Sequence, residues 1–126
     1  MEVPVVPRDK EQARKVTWDK TRRLVLARDG EKCLRCLGEA TDVHHRRPKG
    51  MGGTGNSYIK YGLANLVSLC RECHQWVHNN PSEAYRLGFL VHSGFDPACI
   101  PIILKMLVVK LTPDGDIVRS GEHALF

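Results

Sequence analysis

Residues 65–78 read NLVSLCRECHQWVH and predict a short strand followed directly by a helix. The residues at 66–69 alternate as they do in a β-strand, and a helix over 71–78 is ended by the Asn-Asn-Pro sequence behind it. His74 and His78 are four residues apart, so they lie one turn apart on the same face of that helix. This spacing suits two imidazoles that bind one metal ion.

The cysteines predict a second metal site. The chain has five cysteines, and four of them form two Cys-x-x-Cys pairs. Each pair lets two thiolates converge on one ion, and two pairs complete a tetrahedral four-sulfur site. A disulfide framework fits poorly, because the number of cysteines is odd and the sequence shows no export signal. We therefore predict a structural zinc ion bound by Cys33, Cys36, Cys70 and Cys73.

The remaining segments complete a predicted α+β domain. In chain order we expect a helix at 17–28, a strand at 42–46, a glycine-rich loop at 49–62, a helix at 82–90 and a hairpin with strands at 102–111 and 117–119. Thr17 is the expected N-cap of the first helix. The predicted divisions are a flexible basic arm over 1–16, a core over 17–80, and an extension over 81–126 that packs on the core.

Charge is unevenly distributed along the chain. The first 50 residues carry 13 lysines and arginines against 8 acidic residues, whereas the other 76 carry 6 of each. Such a distribution is expected when one face meets a polyanion. No apolar run reaches the roughly 18 residues of a membrane span, and the N-terminal residues do not resemble a secretion signal. We expect a cytoplasmic protein that does not contact a membrane.

Three stretches together resemble a known family. They are CLRC at 33–36, DVHHRRP at 42–48, and NLVSLCRECHQWVH at 65–78. Residues 33–78 thus resemble an HNH endonuclease of the ββα-metal class, in the form braced by a four-cysteine zinc site. The basic helix before the first cysteine pair is also similar, and small bacteriophage proteins often have this form. The resemblance implies an α+β fold with a ββα-metal core.

The resemblance implies roles for five residues. His45 matches the general base of the family, and His44, directly before it, matches a metal ligand. His74 and His78 match the ligands on the helix, with His78 the least widely shared among zinc-braced relatives. Asn65 matches the asparagine that holds the loop near the base in position. The catalytic ion is expected to be divalent, with Mg²⁺, Mn²⁺, Ni²⁺ and Zn²⁺ all open.

The implied activity is metal-dependent hydrolysis of DNA phosphodiester bonds, as nicking or double-strand cleavage, with 5′-phosphate and 3′-hydroxyl products. Phage genome processing or packaging, in a bacterial or phage-infected cell, is the expected context, with a partner nuclease or packaging protein as a further expectation. The basic residues predicted to contact DNA phosphates are Arg22, Arg23, Arg46, Arg47 and Lys49.

Two other functions stay open at this point. A zinc-ribbon module that binds DNA without cleaving it would need the cysteines but not His45. A structural protein that docks a partner through residues 98–111 is the second alternative. A zinc deaminase is excluded, because no His-x-Glu element precedes the cysteine pairs.

Overall fold

The computed structural model describes residues 10–48, 57–105 and 107–121. These residues form an α+β fold, which confirms the predicted class. The helices are α1 (Lys10–Arg28), α2 (Ser57–Tyr61), α3 (Arg71–Asn79) and α4 (Pro81–Leu87). The strands are β1 (Asp42–His45), β2 (Leu66–Leu69), β3 (Ile102–Ile103), β4 (Val108–Leu111) and β5 (Ile117–Gly121).

An antiparallel pair of strands followed by a helix forms the centre of the fold. β1 pairs with β2 so that His44 lies opposite Val67 and His45 lies opposite Leu66. β2 is buried along its whole length, and α3 begins after one intervening residue, Cys70, and packs on both strands. This hairpin-and-helix arrangement agrees with the predicted strand, loop, strand, helix order.

Helix α1 is longer than the sequence predicted. It begins at Lys10, so Thr17 lies inside the helix and the prediction that Thr17 caps it was wrong. The helix ends at Arg28, and Gly30 behind it has a φ of +66°. Residues 1–9 of the predicted arm lie outside the described part of the chain.

A buried ion pair fixes the end of α1 against β2. Arg28 binds the carboxylate of Asp29 at 2.8 Å and also donates to the carbonyls of Leu63 and Leu66. Asp29 in turn accepts the backbone N–H of Ser68 at 3.0 Å. Arg28 therefore serves the packing of the basic helix, because its side chain is almost completely buried.

The C-terminal extension packs on this centre through a shared apolar core. Val67 of β2 and Val77 of α3 belong to the same buried cluster as Phe89, Ile102 and Val109. The extension has three antiparallel strands in the order β3-β4-β5, so the predicted long first strand is interrupted and the hairpin gains a strand. A turn at 112–115 joins β4 to β5 between the two strands of the predicted hairpin, with the N–H of residue 115 bonded to the carbonyl of residue 112.

Two further predictions differ from the observed elements. Part of the predicted loop at 49–62 is helical, because α2 spans Ser57–Tyr61, while 49–56 lies outside the described residues. α4 spans Pro81–Leu87, so it ends before residue 90, where the predicted helix ended. Among the described helices, none combines the length and apolar character needed to cross a lipid bilayer.

Candidate active site and two metal-binding clusters

Four cysteines meet beside the start of α3. Their sulfur atoms all lie within 4.8 Å of one another, and three of the four residues are buried. Cys70 is also the N-cap of α3, because its Sγ accepts the backbone N–H of Cys73 at 3.4 Å. Four thiolates in two Cys-x-x-Cys turns suit a tetrahedral zinc ion. The four cysteines are thus positioned to form the zinc site that their spacing predicted.

Three histidines form a second cluster, between β1 and α3. One nitrogen of each of His44, His74 and His78 lies within 4.8 Å of the others. The ring centroids are 5.0 Å apart for His44–His74, 5.9 Å for His44–His78 and 5.0 Å for His74–His78. Strand β1 supplies the first residue, and the four-residue spacing on α3 brings the other two to the same side. Three imidazoles form a donor set that suits Zn²⁺, Ni²⁺ and similar ions.

His44 is held as a neutral imidazole with a defined tautomer. It is only 3% exposed, and its Nε2–H donates to the carbonyl of Phe89 at 2.8 Å. The acceptor lone pair is therefore on Nδ1. Burial lowers the pKa of His44 to about 4, and the nearby imidazoles of His74 and His78 add to this effect. Neutral imidazole is the form that binds a metal ion.

His74 contacts a carboxylate that the sequence analysis did not single out. Its Nδ1 lies 2.8 Å from Oδ2 of Asp42, and Arg71 binds the same carboxylate at 3.0 Å. Burial by itself would raise the pKa of Asp42, but the hydrogen bonds from Arg71 and His74 outweigh it and lower that pKa to about 2. Strand alternation offers a signal for this residue, because Asp42 and His44 are two positions apart and share a face of β1.

His45 is held at both its edge and its face. Its Nε2–H donates to the carbonyl of Lys60 at 3.0 Å, so the neutral ring has its acceptor lone pair on Nδ1. Its face stacks on the ring of Trp18, with centroids 5.4 Å apart and an interplanar angle of 13°. The sequence analysis included neither contact. Trp18 lies 27 positions before His45, and a backbone carbonyl gives no side-chain signal.

Asn65 connects the end of β1 to α2. The side chain is fully buried, and its Oδ1 accepts the backbone N–H of Arg47 at 2.7 Å. Its Nδ2 donates to the carbonyls of Arg47 and Ile59 at 3.0 and 2.9 Å. The amide thus uses both donor hydrogens and its acceptor oxygen on the backbone, next to the segment that positions His45.

Arg46 was predicted to contact DNA phosphates, and its burial shows that this prediction was wrong. The residue has no exposed surface. Its guanidinium donates four hydrogen bonds to the carbonyls of Gly88, Ala64, Pro97 and Ile100, at 2.8, 2.9, 3.0 and 2.7 Å respectively. Three of these carbonyls belong to the C-terminal extension, so the arginine joins the extension to β1. The polar sequence next to the histidines gave no indication of this burial.

The other predicted DNA contacts lie in different surroundings. Arg47 is partly exposed, and Nη1 lies 3.5 Å from the carbonyl of Phe95. On α1, Arg22 is partly exposed and donates to a backbone carbonyl, whereas Arg23 is exposed. Lys49 lies outside the described residues.

All four motif histidines border one pocket of about 350 Å³. His44, His74 and His78 lie on its walls together with His45, the predicted base. The rest of the lining is mainly apolar and comes from β1, α3, α4 and the segments next to them: Val43, Pro48, Val77, Pro81, Tyr85 and Leu90. The predicted base and the three clustered imidazoles therefore open on one cavity that has room for a phosphate group.

Comparison with protein families gives a match at this site. Residues 31–80 match the family model described as HNH endonuclease, which confirms the resemblance seen in the sequence. The matched segment includes both cysteine pairs and all four pocket histidines, and it indicates a nuclease-type function with DNA as substrate. Neither the curated proteins nor the solved structures gave a significant match.

Proposed function

We propose that the HNH domain over residues 31–80 makes this chain a metal-dependent endonuclease that hydrolyses DNA phosphodiester bonds. The observation that carries the proposal is the cluster of His44, His74 and His78 beside His45 in one pocket. A module that only binds DNA has no use for three convergent imidazoles next to a fourth. Three protein ligands leave coordination positions open, and this distinguishes a catalytic site from a structural one.

In this mechanism His45 is the general base. In the tautomer that donates Nε2–H to the carbonyl of Lys60, Nδ1 is the ring nitrogen that we assign to take a proton from the attacking water. The water oxygen forms a bond to phosphorus while the bond from phosphorus to the 3′ oxygen breaks, and the departing 3′ oxygen takes a proton from solvent. The products carry a 5′-phosphate and a 3′-hydroxyl. A base in this position contributes about 100- to 10,000-fold to the rate.

The neighbouring residues hold the base and the substrate. Trp18 limits rotation of the His45 ring, and Asn65 fixes the backbone between β1 and α2. Arg47, together with Arg22, Arg23 and Lys49 in the basic first half, is proposed to contact phosphates along the DNA. A divalent cation bound by the three histidines would supply Lewis-acid stabilisation of the phosphate and of the leaving oxygen.

The cysteine cluster has a separate, structural role in this proposal. A zinc ion bound by Cys33, Cys36, Cys70 and Cys73 would hold the start of α3, which carries His74 and His78 four and eight residues after Cys70. We further propose a cytoplasmic role in phage genome processing or packaging, with a partner nuclease or packaging protein. The resemblance to small bacteriophage HNH proteins supports that context.

A plasmid assay tests the proposed activity. Zinc-loaded protein is incubated with supercoiled plasmid in Mg²⁺, Mn²⁺, Ni²⁺, Zn²⁺ or chelator, and nicked and linear products are quantified. We expect cleavage by the wild type with at least one ion, none in chelator, and a large loss in His45→Ala. His92→Ala is the matched control, because His92 is an exposed histidine outside the cluster. DNA that is bound but left intact under every condition would favour the non-catalytic module.

A further inference from the structure

We propose that Asp42 is a positioning residue for His74, which it holds in the tautomer and orientation that bind a divalent ion. The inference rests on the proposed metal-binding role of His44, His74 and His78. Asp42 is not one of the clustered ligands, so it acts through the histidine that it contacts. Its influence is therefore expected on metal affinity rather than directly on the reacting groups.

The contact between the two side chains is short and largely shielded from solvent. Nδ1 of His74 lies 2.8 Å from Oδ2 of Asp42, and the side chains are 27% and 13% exposed. Because a carboxylate only accepts hydrogen bonds, Nδ1 must carry the proton. Nε2 is then the nitrogen left to bind the ion. A carboxylate in this position also fixes the plane of the imidazole ring.

Arg71 also contacts the carboxylate of Asp42. Its Nε lies 3.0 Å from Oδ2 of Asp42 and its Nη2 lies 3.2 Å from Oδ1. The guanidinium is 69% exposed, so its pairing with the carboxylate is open to water. Exposed ion pairs contribute little free energy, whereas the bond to His74 determines which nitrogen faces the cluster. Removal of Arg71 should therefore change the metal affinity little, whereas removal of Asp42 should lower it through the lost bond to His74.

The arrangement also fits the bond that holds His44. There the Nε2–H donates to the carbonyl of Phe89, which leaves Nδ1 for the ion. His44 is thus held through Nε2 by a neutral backbone carbonyl. His74 is held through Nδ1 by a carboxylate. Only the second contact would place negative charge near a bound ion, so its removal is the informative change.

Calorimetric titration with Ni²⁺ tests the proposal without relying on cleavage. The protein is prepared with zinc in the cysteine cluster and with the histidine cluster cleared by a weak chelator. We expect Asp42→Ala to lower the Ni²⁺ affinity by about 10- to 100-fold, and Asp42→Asn, which keeps a neutral acceptor, to lower it less. Arg71→Gln is the matched control and should stay within about three-fold of the wild type.

A double-mutant cycle separates positioning from a general structural effect. In a His74→Ala background, Asp42→Asn should change the Ni²⁺ affinity by less than about two-fold, because its route of action is gone. Zinc content and melting temperature confirm that each variant is folded, and Asp42→Asn decides the question if Asp42→Ala does not fold. Wild-type affinity in both Asp42 variants, or an equal loss with and without His74, would overturn the proposal. If His78→Ala leaves the wild-type Ni²⁺ affinity unchanged, the proposed metal site fails and the inference fails with it.

Discussion

Replacement of Arg46 by methionine should destabilise the fold strongly, although the residue lies in a basic stretch next to the motif histidines. The guanidinium is fully buried and donates to four backbone carbonyls at 2.7–3.0 Å. Four such bonds from a charged donor contribute about 6–12 kcal/mol in total. Burial of the charge costs several kcal/mol and also lowers the pKa of Arg46 to about 10. We therefore expect Arg46→Met to lower the free energy of unfolding by about 3–5 kcal/mol.

Chemical denaturation of zinc-loaded protein measures this change, and the neighbouring residue provides the control. Arg47→Met removes an equal charge from a partly exposed position, so unfolding should change by no more than about 0.5 kcal/mol. In thermal melts the Arg46 variant should lose roughly 10–25 °C. If Arg46→Met unfolds within about 1 kcal/mol of the wild type, a value typical of average substitutions, the four carbonyl bonds do not hold the extension to β1.

Three further outcomes follow from the geometry. Trp18→Ala should slow cleavage by about 3- to 10-fold, because the His45 ring loses its stacking partner, while the Ni²⁺ affinity stays unchanged and Trp18→Phe cleaves at nearly the wild-type rate. A change in DNA affinity alone would instead assign the Trp18 ring to DNA binding. Cys70→Ser keeps an N-cap side chain but loses a thiolate, so the protein should lose both its bound zinc and its cooperative melting, because structural zinc contributes on the order of 10 kcal/mol to the folding free energy. An unchanged melting curve would argue against the zinc site. Arg47→Ala should weaken DNA binding and reduce the slope of log affinity against log salt by about 1; an unaltered slope would place the phosphate contacts elsewhere.

The parts of the site that rest on local spacing could be predicted from the sequence. Two Cys-x-x-Cys turns bring four thiolates together, and the four-residue interval puts His74 and His78 on one face of α3. Alternating residue types predicted β2, and the turn residues at 112–115 marked the end of β4. In these cases the geometry depends on residues only a few positions apart.

The features that were missed depend on contacts between distant segments. The burial of Arg46 follows from carbonyls 18 to 54 residues away, and the stacking of Trp18 on His45 joins α1 to β1. A basic pair next to a histidine pair reads as a phosphate-binding surface unless the extension is known to cover it. Strand alternation places Asp42 on the same face of β1 as His44, but its contact with His74 depends on where α3 packs.

Single-turnover cleavage of a 5′-labelled DNA duplex in Mn²⁺ tests the central claim most directly, because it isolates the chemical step assigned to His45. The wild type should give fragments with ligatable 3′-hydroxyl and 5′-phosphate ends. His45→Ala, with the same zinc content and DNA affinity, should react about 100- to 10,000-fold more slowly. Equal rates for the two proteins, or an absence of cleavage by the wild type with any divalent ion, would contradict the account.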